Sequence, residues 1–221
     1  DGKLIFPTAY PMTATASAAT VKKTVAESCS EQSKAESPVL EVFVASYCPY
    51  GSQMQVILAN VVAGVPDLAK NIRVRYMGQV SNGTIYSMHG STEAAENLRQ
   101  ICIREEQPDA YWKYVSCFLN SKSSPECVTA TGIDVTKLTS CTADPAKGIT
   151  YAEEDFSRSA SYGATDSPTL VLNGKKVSEF NFGGRNPDAI KTLLCCGFSN
   201  QPGSCATHLS NVSVSASQGS C

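Results

Sequence analysis

The hydrophobic pattern changes period several times along the chain, and each change marks an element. Val39-Leu40-Glu41-Val42-Phe43-Val44-Ala45 is a nearly continuous apolar, β-branched run, the pattern of a strand buried on both faces. After Cys48-Pro49-Tyr50-Gly51 the apolar positions shift to helical spacing through Met54, Val56, Ile57, Leu58, Val61 and Val62, with Pro49 suited to the first helical position. Ile72-Arg73-Val74-Arg75-Tyr76 then alternates as a strand with one covered face. These segments predict a β-α-β unit with Cys48 at its strand-to-helix turn.

Residues 91–141 carry helical periodicity. One helix is expected through Ala94, Ala95, Leu98, Ile101 and Cys102. Pro108 ends it and opens a second, with Tyr111, Trp112, Val115, Phe118 and Leu119 on one face. Ser124-Pro125 reads as the N-cap and first position of a short helix closed by Gly132, and Asp134 as a cap for the next segment. A further helix is expected over residues 145–162, ending at Gly163.

Strand patterning then returns. Ser167-Pro168-Thr169-Leu170-Val171-Leu172 meets Asn173-Gly174, a type I′ hairpin pair, followed by Lys175-Lys176-Val177. A last helix starts at Asn186-Pro187, carries Ile190, Leu193 and Leu194, and stops at Gly197. The order β-α-β, helices, β-β-α predicts an α/β protein: a thioredoxin-like fold with an inserted, disulfide-stapled helical domain. The boundaries expected are an Ala/Ser/Thr-rich tail over 1–38, the first half of the thioredoxin-like domain over 39–90, the insertion over 91–144, the second half over 145–205, and a Ser-rich tail over 206–221. Val21-Lys22-Lys23-Thr24-Val25 is a candidate for a short added strand within the first tail.

Composition narrows the function classes. The 221 residues suffice for one core, or one core with a large insertion. Hydrophobic content is 42% and charged content 17%, which reads as soluble and globular. A net charge of −2 favours neither nucleic acid nor an anionic membrane as a partner. No apolar run approaches the length of a membrane span. The start, Asp1-Gly2-Lys3, fits a product already cut from its leader.

The ten cysteines change the picture most. Oxidising compartments use them as staples, so an extracytoplasmic location (secreted, periplasmic or cell surface) is expected. There is no CxxC pair, and the two histidines are His89 and His208, so neither a metal site nor a cofactor is expected. The sequons Asn82-Gly83-Thr84 and Asn211-Val212-Ser213 make Asn82 and Asn211 candidate glycosylation sites.

Cys48 is the candidate for chemistry. A cysteine just before the first turn of a helix meets unpaired backbone N–H groups and the positive end of the helix dipole, and both favour thiolate over thiol. The bland alternative is a buried or disulfide-bonded cysteine. His89 is a candidate to orient or deprotonate Cys48, against a loop histidine bonded to backbone. Tyr47, Tyr50 and Trp112 read as packing residues rather than a recognition cage, with packing the favoured of the two.

Tyr47-Cys48-Pro49-Tyr50-Gly51 resembles the redox motif of glutaredoxins and DsbA-type proteins, with Gly51 at the second cysteine. Asp166-Ser167-Pro168-Thr169 resembles the loop of those families that holds a cis-proline opposite the active site; the resemblance implies that Ser167 and Pro168 shape a substrate groove and that Ser167 offers backbone groups to a peptide. Met88-His89-Gly90, Leu98-Arg99-Gln100-Ile101-Cys102, Tyr111-Trp112, Cys117-Phe118-Leu119 and Cys141 resemble the insertion of lysosomal thiol reductase relatives, as do Leu194-Cys195, Pro202 and Cys205. The resemblance covers residues 39–205. It implies that Cys195 pairs with Cys205. Within the insert, helix geometry favours Cys117 with Cys127 and Cys102 with Cys141, a choice spacing alone leaves open. Cys29 and Cys221 either tie a tail to the body, Cys196 being one partner, or link one molecule to the next.

Two functions follow. One is thiol–disulfide exchange through a single cysteine, a monothiol oxidoreductase or isomerase acting on protein or small thiols, which expects a free, accessible Cys48. The other is a catalytically silent structural subunit of an extracellular filament or surface layer, a homo-oligomer joined through its tails and Cys29 or Cys221. A peptide-binding chaperone without chemistry lies between them.

Overall fold

The central strand owes its burial to its place in the sheet. In the computed structural model, which describes residues 23–209 and Cys221, strand β1 (Leu40–Val44) is buried along its whole length. Strand β2 (Ile72–Tyr76) pairs with it in parallel, from Leu40↔Ile72 to Val44↔Tyr76. Between them runs helix α2 (Pro49–Gly64), followed by a 3-10 turn over Pro66–Asn71. Strand β5 (Thr169–Leu172) lies antiparallel on the other side of β1, with Val42 opposite Leu170, and β6 (Lys175–Val177) forms the edge. The sheet order is therefore β2-β1-β5-β6. Asn173 and Gly174 turn the β5–β6 hairpin at φ 49° and 83°, the left-handed pair that a type I′ turn requires.

A second hairpin, β3 (Gln79–Ser81) with β4 (Thr84–Tyr86), turns at Asn82-Gly83. The helices follow as α3 (Ser91–Glu106), α4 (Pro108–Ser121), α5 (Ser124–Ala130), α6 (Val135–Ala143), a π turn over Pro145–Ile149, α7 (Thr150–Ser161) and, after the sheet is complete, α8 (Pro187–Cys195). Asp134 accepts from the Lys137 N–H to cap α6. The N-cap of α5 is Ser123, not Ser124: the Ser124 hydroxyl instead donates to the buried Glu96 carboxylate at 2.6 Å.

One hydrophobic core joins the sheet and the inserted helices. It runs from Leu40, Val42 and Val74 through Ile57, Leu58 and Ile101 to Tyr111, Phe118 and Cys127. Helix α2 packs against both α4 and α8. At the base of β2 a charged cluster is closed off. Asp155 accepts from Arg104 through two nitrogens, from Arg75 at 2.8 Å, and from the Tyr76 N–H. Arg75 also reaches Glu41, which pairs with Arg158.

The described part of the first tail, residues 23–38, is more ordered than its composition suggests. The strand expected over residues 21–25 is not formed where it is described: Thr24 caps helix α1 (Val25–Ser30) in a reciprocal capping box with Glu27. Val21 and Lys22 lie outside the described residues. After α1 the chain adds to the end of α8, with Ala35 and Phe198 bridging in parallel. No helix among the described residues is long and apolar enough to cross a membrane.

Candidate active site

Cys48 is the N-cap of α2. Its backbone is extended (φ −65°, ψ 126°), and its Sγ accepts from the Gly51 N–H at 3.3 Å. The turn is tight because the Cys48 N–H donates to Ala45 O while the Ser52 N–H donates to Cys48 O. Across from it, the Ser167–Pro168 peptide bond is cis. The carbonyl oxygen of Ser167 stands 3.3 Å from Cys48 Sγ. Cys48, Ser167 and Pro168 are thus brought together, the first two buried.

The inserted helix α3 holds this turn from behind. Asn97 Oδ1 accepts from the Ser46 N–H at 3.2 Å, and Glu93 Oε2 accepts from the Tyr47 N–H at 2.9 Å. Glu93 also accepts from Ser87 Oγ, from the His89 N–H, and pairs with His89 Nδ1 at 2.7 Å. Burial pushes this carboxyl up, but the hydrogen bonds from Ser87, His89 and Tyr47 outweigh it and hold Glu93 below the usual carboxylate range. His89 therefore meets the motif through Glu93, one residue before Cys48. Nothing in the spacing of Glu93 or Asn97 announced this clamp; the pattern of that helix marked only its apolar positions, Ala94, Ala95, Leu98, Ile101 and Cys102.

Two cations flank the first turns of α2. Lys122 Nζ donates to Ser52 Oγ and lies 4.9 Å from the Phe118 ring centre. Burial pushes the Lys122 ammonium down against the opposing pull of Glu96. Arg185 lies over the half-exposed Tyr50 ring and donates to Gln53. Tyr47 packs edge-on against Phe118, and Trp112 edge-on against Tyr111.

Gly51 has no room for a side chain. A Cβ there would stand 2.3 Å from Ser167 Oγ and 2.8 Å from Ala45 O. Ser167 Oγ is fixed in that space by the Ala45 N–H, which it accepts at 2.9 Å.

The described residues include all ten cysteines, and each is paired within the chain. Cys102–Cys141 and Cys117–Cys127 lie in the insert, and Cys195–Cys205 pins the end of α8. Cys29 pairs with Cys196 (Cα–Cα 5.0 Å), tying the first tail to the body. Cys48 pairs with Cys221 (Cα–Cα 5.2 Å), and Cys221 Sγ lies 3.9 Å from the same Ser167 oxygen. Two expectations change. Cys48 is neither free nor accessible in this form, since Cys221 sits on its sulfur and its exposure is 0%. Cys29 and Cys221 are used inside one chain, so neither remains to cross-link one molecule to the next.

Comparison with known proteins places these features. Residues 39–141 match the family model described as Gamma interferon inducible lysosomal thiol reductase (GILT). The fold is similar to oxidized DsbA of Mycobacterium tuberculosis (TM-score 0.54, 15% identity, 76% of this chain and 86% of that one). It is likewise similar to oxidised BdbD of Bacillus subtilis (TM-score 0.52, 14% identity, 74% and 89%). A curated relative, Vacuolar-sorting receptor 1 of Pisum sativum, is 28% identical over 130 residues, and the chain spans only 20% of that receptor's length. Over residues 39–141 the chain therefore resembles the lysosomal thiol reductase family, and its fold is DsbA-like.

Proposed function

We propose that this protein is an extracytoplasmic thiol–disulfide exchange protein whose reactive sulfur is Cys48. The observation that carries the reading is the placement of Cys48 Sγ at the start of α2, 3.3 Å from the Ser167 carbonyl that precedes Pro168. A thiolate there is stabilised by the Gly51 N–H and by the positive end of a sixteen-residue helix. Five disulfides support an oxidising compartment.

The substrates are protein or small-molecule thiols and disulfides. Ser167 and Pro168 form the wall against which a substrate chain lies. His89 is a positioning residue, acting through Glu93 on the Tyr47 backbone. Asn82 sits exposed at the β3–β4 turn, which suits a glycan acceptor; Asn211 lies outside the described residues.

Turnover of a disulfide-bonded reporter peptide by dithiothreitol tests the reading. The wild-type protein accelerates it and Cys48→Ser falls to the uncatalysed rate. Full activity in Cys48→Ser contradicts the assignment.

A further inference from the structure

Resting on the reading of Cys48 as the reactive sulfur, we propose that Cys221 is its redox partner, so that the active dithiol is assembled from the first turn of α2 and the last residue described. Three observations carry this. Position 51, where a second motif cysteine would stand, is closed: a Cβ there meets Ser167 Oγ at 2.3 Å and the rigid Ala45 carbonyl at 2.8 Å. Cys221 is bonded to Cys48 itself, the one sulfur that caps a helix of full length. Both sulfurs of the bridge face one oxygen, Ser167 O, at 3.3 Å and 3.9 Å.

The two halves of the bridge differ in a way that suits exchange. Cys48 is fully buried, and Cys221 is exposed. Cys221 is the exposed residue of the pair, so attack is directed to its sulfur, and the better leaving group is the thiolate stabilised at the helix start. The cycle then balances. A thiolate of an external dithiol attacks Cys221 Sγ; the S–S bond breaks and Cys48 leaves as thiolate. The dithiol's second sulfur attacks the mixed disulfide and expels Cys221, so the reductant leaves as a disulfide and the pair has gained two electrons. The Cys48 thiolate next attacks a substrate disulfide, expelling one substrate sulfur as thiolate. Cys221 attacks Cys48 Sγ, expels the second substrate sulfur and restores the bridge. Substrate has been reduced by the two electrons the dithiol lost.

The tether permits this. Leu209 is fixed by its N–H to Asp188 Oδ1. Cys221 follows Leu209 by twelve positions on the same chain, and two thiols joined by one chain meet at an effective concentration in the millimolar range.

The test starts from protein reduced at Cys48 and Cys221 with its other four bridges intact. Oxidised glutathione is added, and products are mapped by mass spectrometry under non-reducing conditions. The wild-type protein is expected to release both glutathione halves and re-form Cys48–Cys221. Cys221→Ser is expected to hold one half on Cys48, lengthening the life of that adduct on the order of a hundredfold. Cys221→Ala repeats the test with a different side chain at the exposed position. Equal persistence of the Cys48 adduct in wild type and variants overturns the resolving role while leaving Cys48 as the reactive sulfur. A Cys48 that forms no adduct in either variant overturns both readings.

Discussion

Ser167 Oγ occupies the space that a side chain on Gly51 would fill, held there by the Ala45 N–H. The first prediction is that the two positions are coupled. Gly51→Ala should cost about 1–3 kcal/mol through overpacking. Ser167→Ala should cost about 1 kcal/mol, from the buried N–H it leaves unpaired. The double variant should cost less than the sum of the two, because removing Oγ relieves one of the two clashes. Urea unfolding of all four proteins measures this; strict additivity would show that the two side chains do not compete for one space.

The glutamate behind the motif is predicted to make stability depend on acid. Glu93 is fully buried, and its carboxyl is held below the ordinary range because the donors from Ser87, His89 and Tyr47 overcome burial. A depressed folded-state value means that its stabilisation is complete above the unfolded carboxyl value, about 4.3, and is lost as pH falls through the lower folded one. Glu41, which burial raises and Arg158 and Arg75 lower further, adds to the same acid limb. Glu93→Gln should lower the melting temperature at neutral pH and flatten its fall in acid. An acid limb identical to wild type would remove Glu93 from this account.

The cluster at the base of β2 is predicted to be the least tolerant of single changes. Asp155→Asn leaves the Arg104 guanidinium, which is 7% exposed, without its bidentate partner and weakens the hold on Arg75. Breaking a buried pair from one side costs about 3–5 kcal/mol. Chemical denaturation reads the loss directly; a change under 1 kcal/mol, the range of exposed pairs, would show that water reaches the cluster.

The insert's two bridges are predicted to contribute unequally. Cys102–Cys141 spans 39 positions and Cys117–Cys127 spans 10. Chain entropy gives about 4 kcal/mol for the longer loop and about 3 kcal/mol for the shorter. Paired Cys→Ala variants compared by thermal unfolding should show the larger drop for positions 102 and 141.

Much of the architecture was legible in the residue pattern. The apolar run at 39–45, the helical spacing after Cys48 and the Asn173-Gly174 pair each produced the element expected. Each is a local signal, set by side-chain periodicity and turn chemistry. The β3–β4 hairpin was not read, although Asn82-Gly83 is the same kind of turn pair as Asn173-Gly174. Its strands have three residues each, too short for alternation to show.

The site was legible by half. Cys48, Ser167 and Pro168 carry recognisable local motifs. The Glu93 and Asn97 clamp depends on how α3 packs against the motif's backbone, and helix periodicity records burial rather than hydrogen-bond partners. The partner of Cys48 was hidden for a similar reason. Cys221 lies 173 positions away in a Ser-rich segment without periodicity, and spacing does not determine which sulfurs meet.

Stepwise equilibration in glutathione buffers of increasing reducing strength, with each bridge quantified by non-reducing peptide mapping, tests the central claim most directly. The account predicts that Cys48–Cys221 opens while the other four bridges of the folded protein remain closed. A Cys48–Cys221 bridge that opens only when the fold is lost would contradict it.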